Sequence, residues 1–146
     1  MRSTTIICVI FLLLSIELLN CAAVRKDLAF SVFNEADANK NGVVSHEEFS
    51  QDVKRRTFNV LDTNGDSVIT WEEWAAADAN PQVKEHFEIM DKNGDKRIDF
   101  FEFSQAAEKY SNINRAFVDL DRTKDGSLSP EEYQSRPVFS LFTLHF

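Results

Sequence analysis

The sequence predicts an all-α fold in which four helix–loop–helix units, joined by short inter-loop β pairings, pack as one compact single domain. Three observations lead there. Four twelve-residue segments align without a gap: DANKNGVVSHEE, DTNGDSVITWEE, DKNGDKRIDFFE and DRTKDGSLSPEE, at residues 37–48, 62–73, 91–102 and 121–132. A phenylalanine stands four residues before each segment (Phe33, Phe58, Phe87, Phe117), and an aromatic directly follows each (Phe49, Trp74, Phe103, Tyr133). The eighth position is always aliphatic: Val44, Ile69, Ile98, Leu128.

The aromatics lie at helical spacing from other apolar residues, so they mark the inner faces of an entering and an exiting helix around each loop. One such unit cannot bury both faces alone, and several must pack together. The aliphatic eighth position suits a short antiparallel pairing between loops. Only Phe49–Leu61 separates the first two loops, with no Gly or Pro. A helix from about His46 to Leu61, roughly 24 Å long, would then be shared by loops one and two, with Lys54-Arg55-Arg56 on its solvated side. Asn80-Pro81 breaks the chain between loops two and three, with Pro81 starting the next helix. Ser111-Asn112 is a weaker break before loop four. This spacing favours pairing of loops two and three, with one and four meeting at the far end. The ordinary order, one with two and three with four, stays open beside it.

The exiting helices have their own start signal. Ser45-x-x-Glu48, Thr70-x-x-Glu73 and Ser129-x-x-Glu132 have capping-box spacing. Pro130 falls at a first helical position, where a missing N–H costs nothing.

The first residues read differently. Arg2, the apolar run Ile6–Ile16 and the small residues Cys21-Ala22-Ala23 form the order of a secretory signal peptide over residues 1–23, with cleavage expected after Ala23 and a cut after Ala22 as the alternative. The run is short for a membrane span and is interrupted by Glu17, so no transmembrane segment is expected in the mature chain. Both cysteines, Cys8 and Cys21, fall in this leader. The mature chain would hold no disulfide, and small secreted domains without one commonly rely on bound metal. A net charge of −8 argues against a nucleic-acid partner, which calls for a basic patch. Residues 24–136 form the expected repeat domain, and 137–146 an unusually apolar tail. Phe139, Leu141, Phe142 and Phe146 of that tail are expected to fold back onto the core, a partner or membrane contact being the other reading.

Four acidic twelve-residue loops in register, each between helices, resemble the EF-hand superfamily over nearly the whole mature chain. The resemblance implies calcium ions as ligand. Calcium takes six to eight oxygens at about 2.3–2.6 Å, which alternate positions of a curled loop can converge. By this resemblance the metal ligands are Asp37, Asn39, Asn41, Val43 and Glu48 in loop one, and Asp62, Asn64, Asp66, Val68 and Glu73 in loop two. They are Asp91, Asn93, Asp95, Arg97 and Glu102 in loop three, and Asp121, Thr123, Asp125, Ser127 and Glu132 in loop four. The seventh residue of each set contributes its main-chain carbonyl, and the twelfth glutamate closes the shell with both oxygens. Position nine (Ser45, Thr70, Asp99, Ser129) ligates directly or through water. A looser resemblance is to the calumenin and reticulocalbin group, which is lumenal, multi-hand and acidic. This chain is shorter and has no endoplasmic-reticulum retention ending of their type, so a secreted protein is expected, with the secretory lumen as the alternative.

Position six needs a positive φ and favours glycine. Gly42 and Gly126 satisfy it, whereas Ser67 and Lys96 would each cost on the order of 1–2 kcal/mol. Carboxylates at ligand positions number two, three, four and three in loops one to four. Loop four is therefore expected to outrank loop two, unless Gly65 at position four or cooperativity between paired loops compensates. The functional expectation is a non-enzymatic calcium buffer or calcium-stabilised binding protein. A calcium-dependent interaction protein using a Phe-rich face or the tail is the alternative. The mature chain has only Met90, unlike sensors with methionine-rich grooves. No cysteine remains, and His46, His86 and His145 have no nucleophile at motif spacing.

Overall fold

The structure, a computed structural model, describes residues 31–77, 81–135 and Leu144. The leader and most of the tail, with Phe139, Leu141, Phe142 and Phe146, lie outside the described residues.

Among the described residues the chain runs α1 (31–36), β1 (Val44–Ser45), α2 (His46–Leu61), β2 (Val68–Thr70), α3 (Trp71–Ala77), α4 (Val83–Met90), β3 (Arg97–Asp99), α5 (Phe100–Tyr110), α6 (Ile113–Leu120), β4 (Ser127–Leu128) and α7 (Pro130–Tyr133). Helices dominate, and the strands are two or three residues long, one inside each loop. They form two antiparallel ribbons, β1 with β4 and β2 with β3. Val44 faces Leu128, and Ile69 faces Ile98. Loops one and four therefore pair, as do two and three, and the ordinary sequential order does not occur. All four eighth-position residues are fully buried, because each ribbon places them side by side against the helices it joins.

The cause of this pairing is the uninterrupted α2. Its two ends serve different cores. Phe49 and Val53 enter a cluster with Phe33, Phe117, Leu120 and Tyr133. Phe58 enters another with Trp74, Phe87, Met90 and Phe103. At about 100° per residue, Phe49 and Phe58 point to opposite sides of the helix. A helix whose apolar stripe changes sides halfway cannot fold back on itself. It joins two pairs of units instead.

This change of side also corrects the reading of Lys54-Arg55-Arg56 as solvated. Arg55 is exposed, but Lys54 points with Phe58 toward the second pair and is only 4% exposed. Its Nζ lies 2.9 Å from Glu108 Oε2 on α5. Arg56 points with Phe49 toward the first pair and binds Asp52 and Glu35. Long basic side chains can bury their stems while the charged heads find partners, and a helix enclosed on two sides leaves them little else.

The breaks stand where the turn residues put them, with one shift. Gln82 rather than Asn80 precedes α4, and Pro81 lies in the turn before the helix instead of starting it. Ser111 and Asn112 separate α5 from α6. Leu144 forms a β-bridge with Ser111 and packs against the second cluster beside Leu61, Val83 and Tyr110. At that residue the tail does return to the core. Among the described residues no helix is long and apolar enough to cross a membrane.

Candidate metal centres

Each loop is held by the same set of side-chain to main-chain hydrogen bonds. The first aspartate accepts from the N–H of position six: Gly42 to Asp37 Oδ2 at 2.9 Å, Ser67 to Asp62 at 2.9 Å, Lys96 to Asp91 at 2.9 Å and Gly126 to Asp121 at 3.0 Å. The third-position asparagines accept from position five, with Asn39, Asn64 and Asn93 each 2.8–2.9 Å from that N–H. The fifth residue accepts from position seven: Val43 to Asn41, Val68 to Asp66, Arg97 to Asp95 and Ser127 to Asp125, at 2.9–3.1 Å. Loop four departs only at Thr123, whose hydroxyl donates to Asp121 Oδ1. Residues one, three and five are thus curled around their own backbone, as their short oxygen-bearing side chains favour.

The twelfth glutamate closes each loop from the far side. Glu48, Glu73, Glu102 and Glu132 accept through Oε1 from the N–H of position three (Asn39, Asn64, Asn93, Thr123). Through Oε2 they accept from the N–H of position nine (Ser45, Thr70, Asp99, Ser129). Position nine in turn caps the helix by accepting from the glutamate's own N–H. Three of these reciprocal caps are the ones that the Ser/Thr spacing predicts. The fourth, Asp99 with Glu102, was hidden because its cap residue is an aspartate.

These bonds stabilise the charged carboxylates. Main-chain donation from Thr70 holds Glu73 down from 4.5 to about 2, and donation from Ser129 and Thr123 does the same for Glu132. The Ser127 hydroxyl and N–H lower Asp125. Partial burial raises Glu48, but bonds from Ser45 and Asn39 outweigh it and the net shift is downward. A pKa that is depressed in the folded state adds stability above the unfolded value and loses it as pH falls toward the folded one. The calcium-free protein is therefore expected to keep a constant melting temperature above about pH 5 and to lose stability progressively from there down to about pH 2. A thermal melt series in chelator across that range checks it. Stability that rises on acidification would mean that carboxylate repulsion outweighs the hydrogen bonds.

The backbone overturns the ranking of loop four above loop two. Position six does take a positive φ in every loop: Gly42 at 89°, Ser67 at 68°, Lys96 at 66° and Gly126 at 85°. So does position four, with Lys40 at 59°, Gly65 at 73°, Gly94 at 76° and Lys124 at 59°. Loops one and four put glycine at six and lysine at four; loops two and three put glycine at four and Ser67 or Lys96 at six. Each loop therefore has one strained non-glycine residue, and the cost of about 1–2 kcal/mol is common to all. Loops two and four, which also tie in carboxylates, have no difference left on these terms. Gly65→Ala and Gly126→Ala should accordingly weaken their own loops alike, by roughly five- to thirtyfold. An added Cβ would meet nothing within 4 Å at either position, so only the backbone term acts. Site-resolved calcium titration of the two variants checks this.

The donor set fits calcium. Among the described residues no group of three or more His, Cys, Asp or Glu side chains is placed to hold a metal ion by itself. The loops instead mix carboxylates with Asn39, Asn41, Asn64 and Asn93 amide oxygens, the Thr123 hydroxyl and main-chain carbonyls. An all-oxygen set with few charges, in a flexible loop, suits a large hard cation that accepts many ligands. It suits neither zinc, which takes nitrogen and sulfur, nor magnesium, which demands a rigid octahedron.

Comparison with known proteins agrees. The EF hand family model matches residues 31–54, 53–77 and 113–135. Those segments span the first, second and fourth loops; the third lies outside them and repeats their hydrogen-bond scheme. Calcium-binding protein SPEC 2C of Strongylocentrotus purpuratus is 33% identical over 100 residues, which is 60% of this chain and 66% of that protein. The chain thus spans just under two thirds of that relative's length. Fold, loops and matches together make the chain similar to EF-hand calcium-binding proteins, with an oxygen donor set that suits calcium.

Proposed function

We propose that all four loops bind calcium, and that the protein acts outside the cell or in the secretory lumen as a non-enzymatic calcium buffer or calcium-stabilised binding protein. The observation that carries this reading is the identity of the loop closures. Loop three holds its glutamate and first aspartate through the same donors as the three loops that the family model matches. The leader-like sequence of residues 1–23 supports the compartment. If it is right, mass spectrometry of the protein recovered from the medium of expressing cells will find a chain beginning at Val24. A chain retaining residues 1–23 inside the cell would refute the placement while leaving calcium binding untouched.

Burial bears on the alternative of a calcium-dependent interaction protein. The phenylalanines before and after the loops are consumed in the two cores: Phe33, Phe49, Phe58, Phe87, Phe103 and Phe117 are all buried. Among the described residues, the large hydrophobics at the surface are Val60, Phe101 and Val118 and, partly, Trp71 and Phe100. Trp71 stands edge-on to Phe87 at 5.6 Å in a cleft of about 620 Å³ that Lys84 and Arg97 also line. The loop-flanking phenylalanines therefore face the interior among the described residues, and this supports buffering over display of a large apolar groove.

A further inference from the structure

Asp52 belongs to no loop, yet it joins three helices that lead to calcium ligands. It sits in the middle of α2 and is buried. Its Oδ2 accepts from the Tyr133 hydroxyl at 2.7 Å, across 81 residues of chain. Arg56 Nε donates to Asp52 Oδ1 and Oδ2 at 2.8 and 2.9 Å. The other end of the same guanidinium reaches Glu35 Oε2 at 2.8 Å and the Val32 carbonyl at 3.4 Å, both on α1.

The positions of these partners along the chain matter. Glu35 lies two residues before Asp37, which opens loop one. Asp52 lies one helical turn beyond Glu48, which closes it. Tyr133 directly follows Glu132, which closes loop four. The rings add to the alignment, with Tyr133 edge-on to Phe33 at 5.8 Å and to Phe49 at 6.4 Å. Apolar burial at this end of α2 is already supplied by Phe33, Phe49, Phe117 and Leu120. What the polar network adds is direction: hydrogen bonds fix a helix in rotation where apolar contacts do not.

We propose that Asp52 is a positioning residue for calcium at loops one and four. Through Tyr133 and Arg56 it holds the exiting helix of loop four, the shared helix and the entering helix of loop one in the arrangement that presents Glu132, Glu48 and Asp37 to their ions together. The bonds coexist here with both glutamates folded into their loops, so the network belongs to the ion-gathering arrangement and slows its opening. At the matching register of the second pair, four residues beyond Glu102, α5 carries the buried Ala106 instead of a carboxylate, and that pair is packed by Phe58, Trp74 and Phe103. The inference rests on the reading that loops one and four bind calcium.

Stopped-flow release of calcium into a fluorescent chelator tests it. All ions are counted by the chelator, while Trp71 and Trp74 report the second pair alone. Tyr133→Phe removes one hydroxyl and keeps the ring; Asp52→Asn removes the charge. Each is expected to speed release of two ions by roughly ten- to a hundredfold, the size of one charge-assisted hydrogen bond. The tryptophan phase should stay as in the parent, and the melting temperature should fall more in calcium than in chelator. Unchanged release rates overturn the inference, as does equal acceleration of all ions or an equal fall in the melts with and without calcium, which would mark a structural role only. Should Asp52→Asn fail to fold, Tyr133→Phe still decides. If the parent releases no ions beyond those that the tryptophans report, the reading of loops one and four as calcium sites fails, and the inference fails with it.

Discussion

Removing calcium is expected to lower the melting temperature by at least about 15 °C. Two sites each held at a hundred times their dissociation constant add roughly 5 kcal/mol to the native state alone, and a chain of this length gains about 3–4 °C per kcal/mol. The core offers little to compensate. It is divided into two clusters at either end of α2, and residues 24–146 contain no cysteine for a cross-link. Asp37, Glu102 and Glu132 are buried carboxylates that keep hydrogen bonds but lose their cation on chelation. Differential scanning calorimetry with calcium and with excess chelator measures the difference. A shift of only a few degrees would mean that the fold stands without its ions and that metal does not replace the missing disulfides.

The second large effect is expected from Glu132→Gln. The amide keeps the shape of the carboxylate but loses the charge and the second oxygen ligand, at a cost on the order of 3 kcal/mol, about a hundredfold in affinity. The loss should not stay in loop four. Ser127 of β4 pairs with Ser45 of β1, and Ser45 caps the helix that carries Glu48. Loop one should weaken with its partner, leaving two strong sites. Trp71 and Trp74 belong to the other pair, so their calcium response should survive. Glu73→Gln should do the reverse, abolishing the tryptophan response while two sites remain. If Glu132→Gln instead silenced the tryptophans and left loop one intact, the pairing of one with four would not operate in solution.

Much of this molecule was legible before any coordinates. The twelve-residue pattern located all four loops, and the flanking aromatics and eighth-position aliphatics named the larger part of the described core, though not Val53, Met90, Ile113 or Leu120. The absence of Gly and Pro between Phe49 and Leu61 was enough to call for one shared helix and to favour the pairing of outer with outer and inner with inner loops. What stayed hidden was what depends on rotation and distance. Lys54 and Arg56 are two residues apart and look alike in a sequence, yet α2 turns them toward different cores. Tyr133 reads as a core aromatic, and nothing in the spacing connects its hydroxyl to Asp52. The positive φ at position four was only half legible: compensation by Gly65 could be named, but not that Lys40 and Lys124 carry the same strain in loops one and four. Asp99 escaped as a cap because aspartate in an acidic loop reads first as a ligand.

The most direct test of the central claim is the number of calcium ions bound. Isothermal titration of the calcium-free protein, repeated in millimolar magnesium, is expected to reach four ions per chain, with the tryptophan signal following two of them. Binding of three or fewer would contradict a calcium site in every loop, and uptake abolished by magnesium would contradict the calcium-selective closure assigned to the four glutamates.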